Sequence, residues 1–586
     1  MHDKTFRSLI RYYNSLHSFL TFNAKVKFNN KQQGVYNLTI EGEISHSMPT
    51  SLIPKQGKEP TCGQLYILDD HLAIQKRLQT DKKIVKEHLE IINAVMKNNP
   101  FCKNYKCLHQ ISNISNLPNY KIYFMRKNKN QSHTYNKPLT SDCAAIVVTD
   151  GDKIPEDYDV CVYPKNNDNN IEKTYINKLS HFVDPMQFPL LFPAGDLGCS
   201  IGYTKRPESK SDKLTLLQHY GYRMAYRPDH VAFNPILYSG RLTQQFFIHA
   251  LLMIDNSRIN FFRNNQKQLR AECYQGIYDH VIGNASNNSK NFENKEKLGN
   301  LFILPSTYIG GARYMQQNYQ DAMAIFRHVD KRPDLFITMT CDPNWEEFKI
   351  ILKNFPPGTT INDIPNIAVR LFYLKFCSLL DDIVKRKKFG RVISYVATIE
   401  FQKRGLPHAR ILITLHPEDS LKTPELIDKF ISAEIPEDDL ELKKLVIKHM
   451  LHGPHSEKTP CYDPLKNTCS KNFPKPFQNE TSFQNNGYPL YRRRNNVHCK
   501  NYHKNRDREE GFEVDNSMVV PYNSYFLKKY KCHINFEYCG SIAGIKYIYN
   551  YLHKGLDRAY CKIKKINNNS TDKEISDECF HRWEIY

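Results

Sequence analysis

The chain has 586 residues and carries 82 Lys and Arg against 61 Asp and Glu, a formal net charge of +21. With 40% hydrophobic and 12% aromatic residues it is too apolar for a disordered chain, and it is long enough for about three domains with substantial cores. No stretch reaches the roughly 18 apolar residues of a membrane span.

The charge excess favours a polyanionic partner, phosphate neutralisation being its usual use. The opening Met1-His2-Asp3-Lys4 leads into IRYYNSLHSFLTF, which lacks an apolar core of signal-peptide length. Sixteen cysteines without a dense framework read as reduced thiols of a nuclear or cytosolic protein.

In chain order, GVYNLTIEGEISH (34–46) and QLYILDD (64–70) alternate as strands, and KKIVKEHLEIINAVMK (82–97) has helical spacing. The polar run 165–170 marks a loop or boundary. DPMQFPLLFPAGDLG (184–198) reads as an irregular, aromatic-rich segment. From Gly240 to Ile282 the pattern is helical, with another helix at 313–329. DLFITMTC (334–341) reads as a buried strand, 369–385 as a helix, and 392–401 and 409–415 as strands. The charged span Glu418–Lys448 reads as an exposed helical insertion. These elements predict a multi-domain α+β chain: 1–170 mixed, 184–330 helical, and 331–586 built on a sheet with an insertion at 418–515.

The segment EFQKRGLPHARILITL (400–415) reads as two strands joined by a tight turn at Lys403-Arg404-Gly405-Leu406-Pro407. Side chains alternate along a strand, so His408, Arg410, Leu412 and Thr414 share one face. Ala409, Ile411, Ile413 and Leu415 share the other, which is apolar. Glu400 and Gln402 share a face of the first strand. Pairing would bring a carboxylate, an amide and an imidazole together, the beginning of a divalent-metal nuclease site. Spacing leaves open whether Glu400 or Gln402 would complete the ligands with His408. Arg410 is permanently charged and has no lone pair for a metal, so it would repel a cation and pair with Glu400.

Further along, HGPHSEKTPCYDPLKNTC offers His452, His455, Cys461 and Cys469, soft donors suited to tetrahedral zinc. Reduced thiols and surface histidines are the plain alternative. The basic runs Arg492-Arg493-Arg494 and Lys528-Lys529-Tyr530-Lys531 could contact phosphate while nearby tyrosines stack on bases, or be solvated faces. SIAGIKYIYNYLHKG (541–555) is helical, with Ser541 to cap it and Gly555 to end it. Ile545, Ile548 and Leu552 form its apolar stripe, and Tyr547 and Tyr551 lie one turn apart on a flank. No GxxxxGK[ST] phosphate loop occurs, so ATP binding is not supported.

The 400–415 segment resembles the histidine–hydrophobic–histidine (HUH) motif of the replication initiators of Helitron rolling-circle transposons, close to EFQKRGLPHAH. Arg410 stands where the second histidine is usual. The resemblance continues in order through IRYYNSLHSF, DPMQFPLLFPAGDLG, 304–348, 449–477, GYPLYRRR and 519–559. SIAGIKYIYNYLHKG resembles the family's paired-tyrosine motif, KYxxKYxxKG, with Asn550 at the middle lysine. His455 stands where similar sequences have cysteine.

The resemblance implies an HUH-nuclease-like antiparallel sheet flanked by helices, with Tyr547 and Tyr551 as nucleophiles. It implies Mg²⁺ or Mn²⁺ at His408 with Glu400 or Gln402, whereas a structural Zn²⁺ is read from the His and Cys donors themselves. The implied partner is single-stranded or transposon-end DNA, with Lys546 and Lys554 among its contacts. The ancestral reaction would be nicking and strand transfer through a 5′-phosphotyrosine, impaired here by Arg410. The rival is a non-catalytic DNA-binding remnant or domesticated protein. Full Helitron proteins resemble a fusion to a helicase, so the chain reads as a truncated or decayed copy or an incomplete gene model.

Overall fold

The computed structural model describes residues 3–28, 38–49, 54, 57–112, 121–125, 145–148, 158–162, 173–177, 179–199, 213–225, 234–266, 304–329, 332–401, 406–453, 461–463, 468–485, 487–501, 512–539, 558–563, 575–581 and 583–585. Its C-terminal half is organised on four antiparallel strands: β1 (Leu335–Thr340), β2 (Val392–Phe401), β3 (Pro407–Leu415) and β4 (Ile534–Tyr538), in the order β4-β1-β3-β2. β3 is interior and buried nearly throughout, as its continuous apolar run requires, whereas β2 is an edge strand with alternating exposure.

The two faces of this sheet have different coverings. Leu335, Ile337, Met339, Ala409, Ile411, Ile413, Ile534 and Phe536 share one core with Ala368, Phe372, Phe376 and Leu379 of the helix Pro365–Leu380 and with Phe526 and Leu527 of Ser524–Tyr530. On the opposite face Phe336 and Leu412 pack against Ala322 and Phe326 of Ala312–Val329. An antiparallel sheet between helices makes the fold α+β, as expected from the sequence.

Two local expectations are corrected. The span Glu418–Lys448 is not an exposed insertion: Ile427 of the helix Pro424–Phe430, and Leu442, Leu445 and Val446 of Leu440–His449, are buried in the core beneath the sheet. QLYILDD is not a strand. Cys62–Tyr66 forms a 3₁₀ turn, and Asp69 then caps the helix Asp70–Leu78 by accepting from Leu72 N at 2.8 Å. The helix expected at 369–385 is present, but its last turn, Asp381–Lys385, is a π turn.

A second core gathers Ile10 and Tyr13 of Lys4–His17, Leu89 and Ile92 of Lys86–Met96, Phe182, Val183, Phe188 and Phe192, and Phe246 and Met253 of Arg241–Asn264. The aromatic-rich 184–198 segment is therefore interior, a short helix, Val183–Gln187, followed by turns. The expected 34–46 strand is seen as Leu38–Pro49, paired with Thr21–Phe28, Lys173–Ile176 and Trp583–Ile585. The Gly240–Ile282 pattern gives Arg241–Asn264, and its end lies outside the described residues. No described helix is long and apolar enough to cross a membrane.

Candidate functional site

Register places two of the predicted ligands, Glu400 and His408, together. Glu400 of β2 pairs with His408 of β3, which in turn pairs with Thr340 of β1. One step along the same face, Thr398, Arg410, Thr338 and Asn535 form a row across all four strands. The side chain of His408 is 4% exposed, that of Arg410 11% and that of Glu400 23%, so the charges sit at a half-closed end of the sheet. Helix Ala312–Val329 covers the neighbouring apolar part of this face.

Arg410 engages both prospective ligands. Its Nε–H donates to His408 Nε2 at 3.2 Å and lies 3.6 Å from Glu400 Oε2, while His408 Nε2 is 3.4 Å from the same oxygen. An imidazole nitrogen that accepts from a guanidinium has no lone pair left for a cation. His408 Nδ1, Glu400 Oε1, Thr398 Oγ1 and Asn535 Oδ1 are buried without a hydrogen-bond partner among the described residues. Those orphaned atoms mark a polar site, but the guanidinium at its centre does not fit Mg²⁺ or Mn²⁺. Gln402 lies outside the described residues, as do Tyr547, Tyr551, Lys546 and Lys554.

Asn535 carries no local sequence signal, because the strand order is what brings it opposite Thr338. Sequence reasoning had no access to it. It also missed a cluster at the same end of the sheet. His449 Nδ1 lies 3.6 Å from Asp342 Oδ2, and His533 Nδ1 lies 2.8 Å from the His449 carbonyl oxygen. Burial, opposed by the Asp342 carboxylate, lowers the His449 pKa to about 4. These three residues come from distant segments, so no spacing motif announces them.

His452, Cys461 and Cys469 converge, with their ligand atoms all within 4.8 Å of one another. His452 Nε2 is 3.3 Å from Cys469 Sγ and 3.6 Å from Cys461 Sγ. The two cysteines sit at the open end of a small hairpin, in which Tyr462 pairs with Cys469 and Ser470 N donates to the Cys461 carbonyl at 2.7 Å. Burial works to raise the Cys469 pKa, but the N–H groups of Phe473 and Lys471 outweigh it and the net shift is downward. His455 lies outside the described residues.

The basic runs behave residue by residue. Arg493 corrects the expectation of phosphate contact, because it is buried and its Nη1 donates to the carbonyls of Val519 (2.6 Å), Asn516 (2.7 Å) and Ala433 (3.3 Å). Arg494 is held by Glu434 at 2.7 Å, and Arg492 lies 3.4 Å from Glu434 and 3.6 Å from Asp428. Lys528 pairs with Asp439, Lys529 with Asp382 at 2.5 Å and Lys531 with Glu441 at 3.3 Å. The exposed members therefore face local carboxylates.

Fold and site together define an α+β chain with a histidine–carboxylate–arginine constellation on an antiparallel sheet. Residues 219–413 match the family model described as the Helitron helicase-like domain at N-terminus. The match supports a Helitron-related protein of transposon type, and its span includes Glu400, His408 and Arg410. No curated protein matches the chain.

Proposed function

We propose that this is a Helitron-derived protein whose ancestral single-strand DNA nicking and strand-transfer site is disarmed by Arg410. The observation that carries this reading is the Arg410 Nε–H on His408 Nε2 at 3.2 Å, with Glu400 Oε2 beside both. A tyrosine phenol, with a pKa near 10, is a poor nucleophile at neutral pH. Attack on a phosphodiester through Tyr547 or Tyr551 needs the phosphate polarised and its developing charge stabilised, the usual service of a bound metal. A site that repels the cation leaves the phenols without that help. DNA binding is the activity that survives, supported by the +21 charge and the family match.

The test compares the natural protein with Arg410→His on single-stranded DNA containing a transposon end. Arg410→His is expected to bind Mn²⁺ by calorimetry and to form a covalent adduct at least about a hundredfold faster than the natural chain. Tyr547→Phe or Tyr551→Phe in that background should remove the adduct. Equal, robust metal-dependent cleavage by both proteins would sink the reading.

A further inference from the structure

We propose that His452, Cys461 and Cys469 bind one zinc ion, which clasps the segment after helix Leu440–His449 to the floor of the C-terminal core. The geometry is the first argument. With zinc–nitrogen near 2.0–2.1 Å and zinc–sulfur near 2.3 Å, the nitrogen-to-sulfur edge of a tetrahedron is roughly 3.5 Å. The two edges from His452 Nε2 are 3.3 and 3.6 Å. Both nitrogen-to-sulfur edges match a single ion, and the two sulfurs lie within 4.8 Å of each other.

The surroundings are the second argument. Both cysteines are free thiols, placed by the paired strands Tyr462–Asp463 and Thr468–Cys469. Lys471 N donates to Cys469 Sγ at 3.3 Å, a backbone amide aimed at the sulfur that stabilises it as thiolate. The His452 ring packs on Phe473 with centroids 4.5 Å apart, which fixes its orientation. Two thiolates and an imidazole select zinc over Mg²⁺ or Ca²⁺, which prefer oxygen donors.

The clasp has identifiable ends. Leu451 bridges to Val519, His452 N donates to Met518 O at 2.9 Å, and Lys475 N donates to Ser517 O at 2.9 Å. Both flanks of the cluster are thus tied to the same stretch, 517–519, and the ion joins them through side chains. His449 and its Asp342 contact lie three residues before His452, so the clasp also steadies that end of the sheet. This site is independent of the Arg410 reading, because it shares none of the sheet-site residues.

The full chain, purified without chelator, should contain about one zinc per molecule by elemental analysis. Cys461→Ser and Cys469→Ser should each cut this to roughly a tenth. Cobalt(II) added to the stripped protein should give a thiolate-to-cobalt charge-transfer band and intense tetrahedral ligand-field bands. Should the serine variants fail to fold, His452→Cys keeps a full donor set. It should retain metal and strengthen the charge-transfer band by about half as a third thiolate is added. Zinc below roughly a tenth per natural chain, a weak octahedral cobalt spectrum, or an unchanged band in His452→Cys would each overturn the proposal.

Discussion

Arg493 and Arg494 are adjacent, yet one is a structural bolt and the other a partly exposed ion-pair partner, because only Arg493 meets three carbonyl oxygens in the interior. Burial decides the fate of His17 as well. Its Nδ1–H donates to the Tyr13 carbonyl at 2.8 Å, and its ring is fully enclosed. Burial first, and the nearby Arg77 charge second, lower its pKa from 6.5 to about 3. A histidine with a depressed folded pKa binds fewer protons folded than unfolded between those two values. Its stabilising contribution is therefore fully present above pH 6.5 and is lost as the pH falls toward 3. Lowering the pH from 7 to 5 should cost about 2 kcal/mol through His17 alone. Urea unfolding of His17→Gln at both pH values should show a loss smaller by that amount than in the natural chain. Identical losses in the two proteins would rule out His17 as the source.

At the scale of elements, the π turn Asp381–Lys385 has a visible consequence for charge placement. It carries Asp382 into the interior, where the carboxylate accepts from Tyr530 Oη at 2.8 Å and Lys529 Nζ at 2.5 Å, with Arg386 Nη1 also at 2.5 Å. Burial raises its pKa, but these donors outweigh it and hold the group below the usual carboxylate value. Asp382→Ala would leave Lys529 and Tyr530 without their acceptor. The expected loss is about 3 kcal/mol, the lower end for a broken buried pair, since Arg386 and part of Lys529 can turn to water. Chemical denaturation would measure it, and a loss below about 1 kcal/mol would contradict the anchoring role. Strand periodicity in the sequence sufficed for β2 and β3, and hence for the Glu400–His408–Arg410 face, because period-two alternation fixes which residues share a side. Asn535 and the Asp342–His449–His533 cluster were not legible, since strand order and loop return bring them together. The charged surface of 418–448 concealed Ile427, Leu442, Leu445 and Val446, whose helical stripe is short. Alternation in QLYILDD was too brief to outweigh the capping signal of Asp69.

For the molecule as a whole, the described residues include several contacts that link the two hydrophobic cores. From the first helix, Arg7 donates to Thr359 Oγ1 at 3.0 Å, to the Pro356 carbonyl at 3.3 Å and to the Pro357 carbonyl. Gly358, at φ +82°, supports this loop in a conformation suited to glycine, and a Cβ there would come within 3.2 Å of Arg7 Nη2. Gln244 donates to the Asn362 carbonyl, and Tyr238 stacks on Phe355 at 4.9 Å between centroids. Arg7 makes three of these hydrogen bonds, so Arg7→Ala should weaken the coupling of the cores by about 2 kcal/mol. The two tryptophans allow a direct reading. Trp345 is buried in the C-terminal core, whereas Trp583 lies on the strand paired with Leu38–Pro49. In a Trp583→Phe background, fluorescence then follows the C-terminal core alone while far-ultraviolet circular dichroism follows both. The two thermal transitions should coincide with Arg7 present and separate in Arg7→Ala, with the dichroism change coming first. Coincident transitions at an unchanged midpoint in both proteins would mean that other contacts couple the cores.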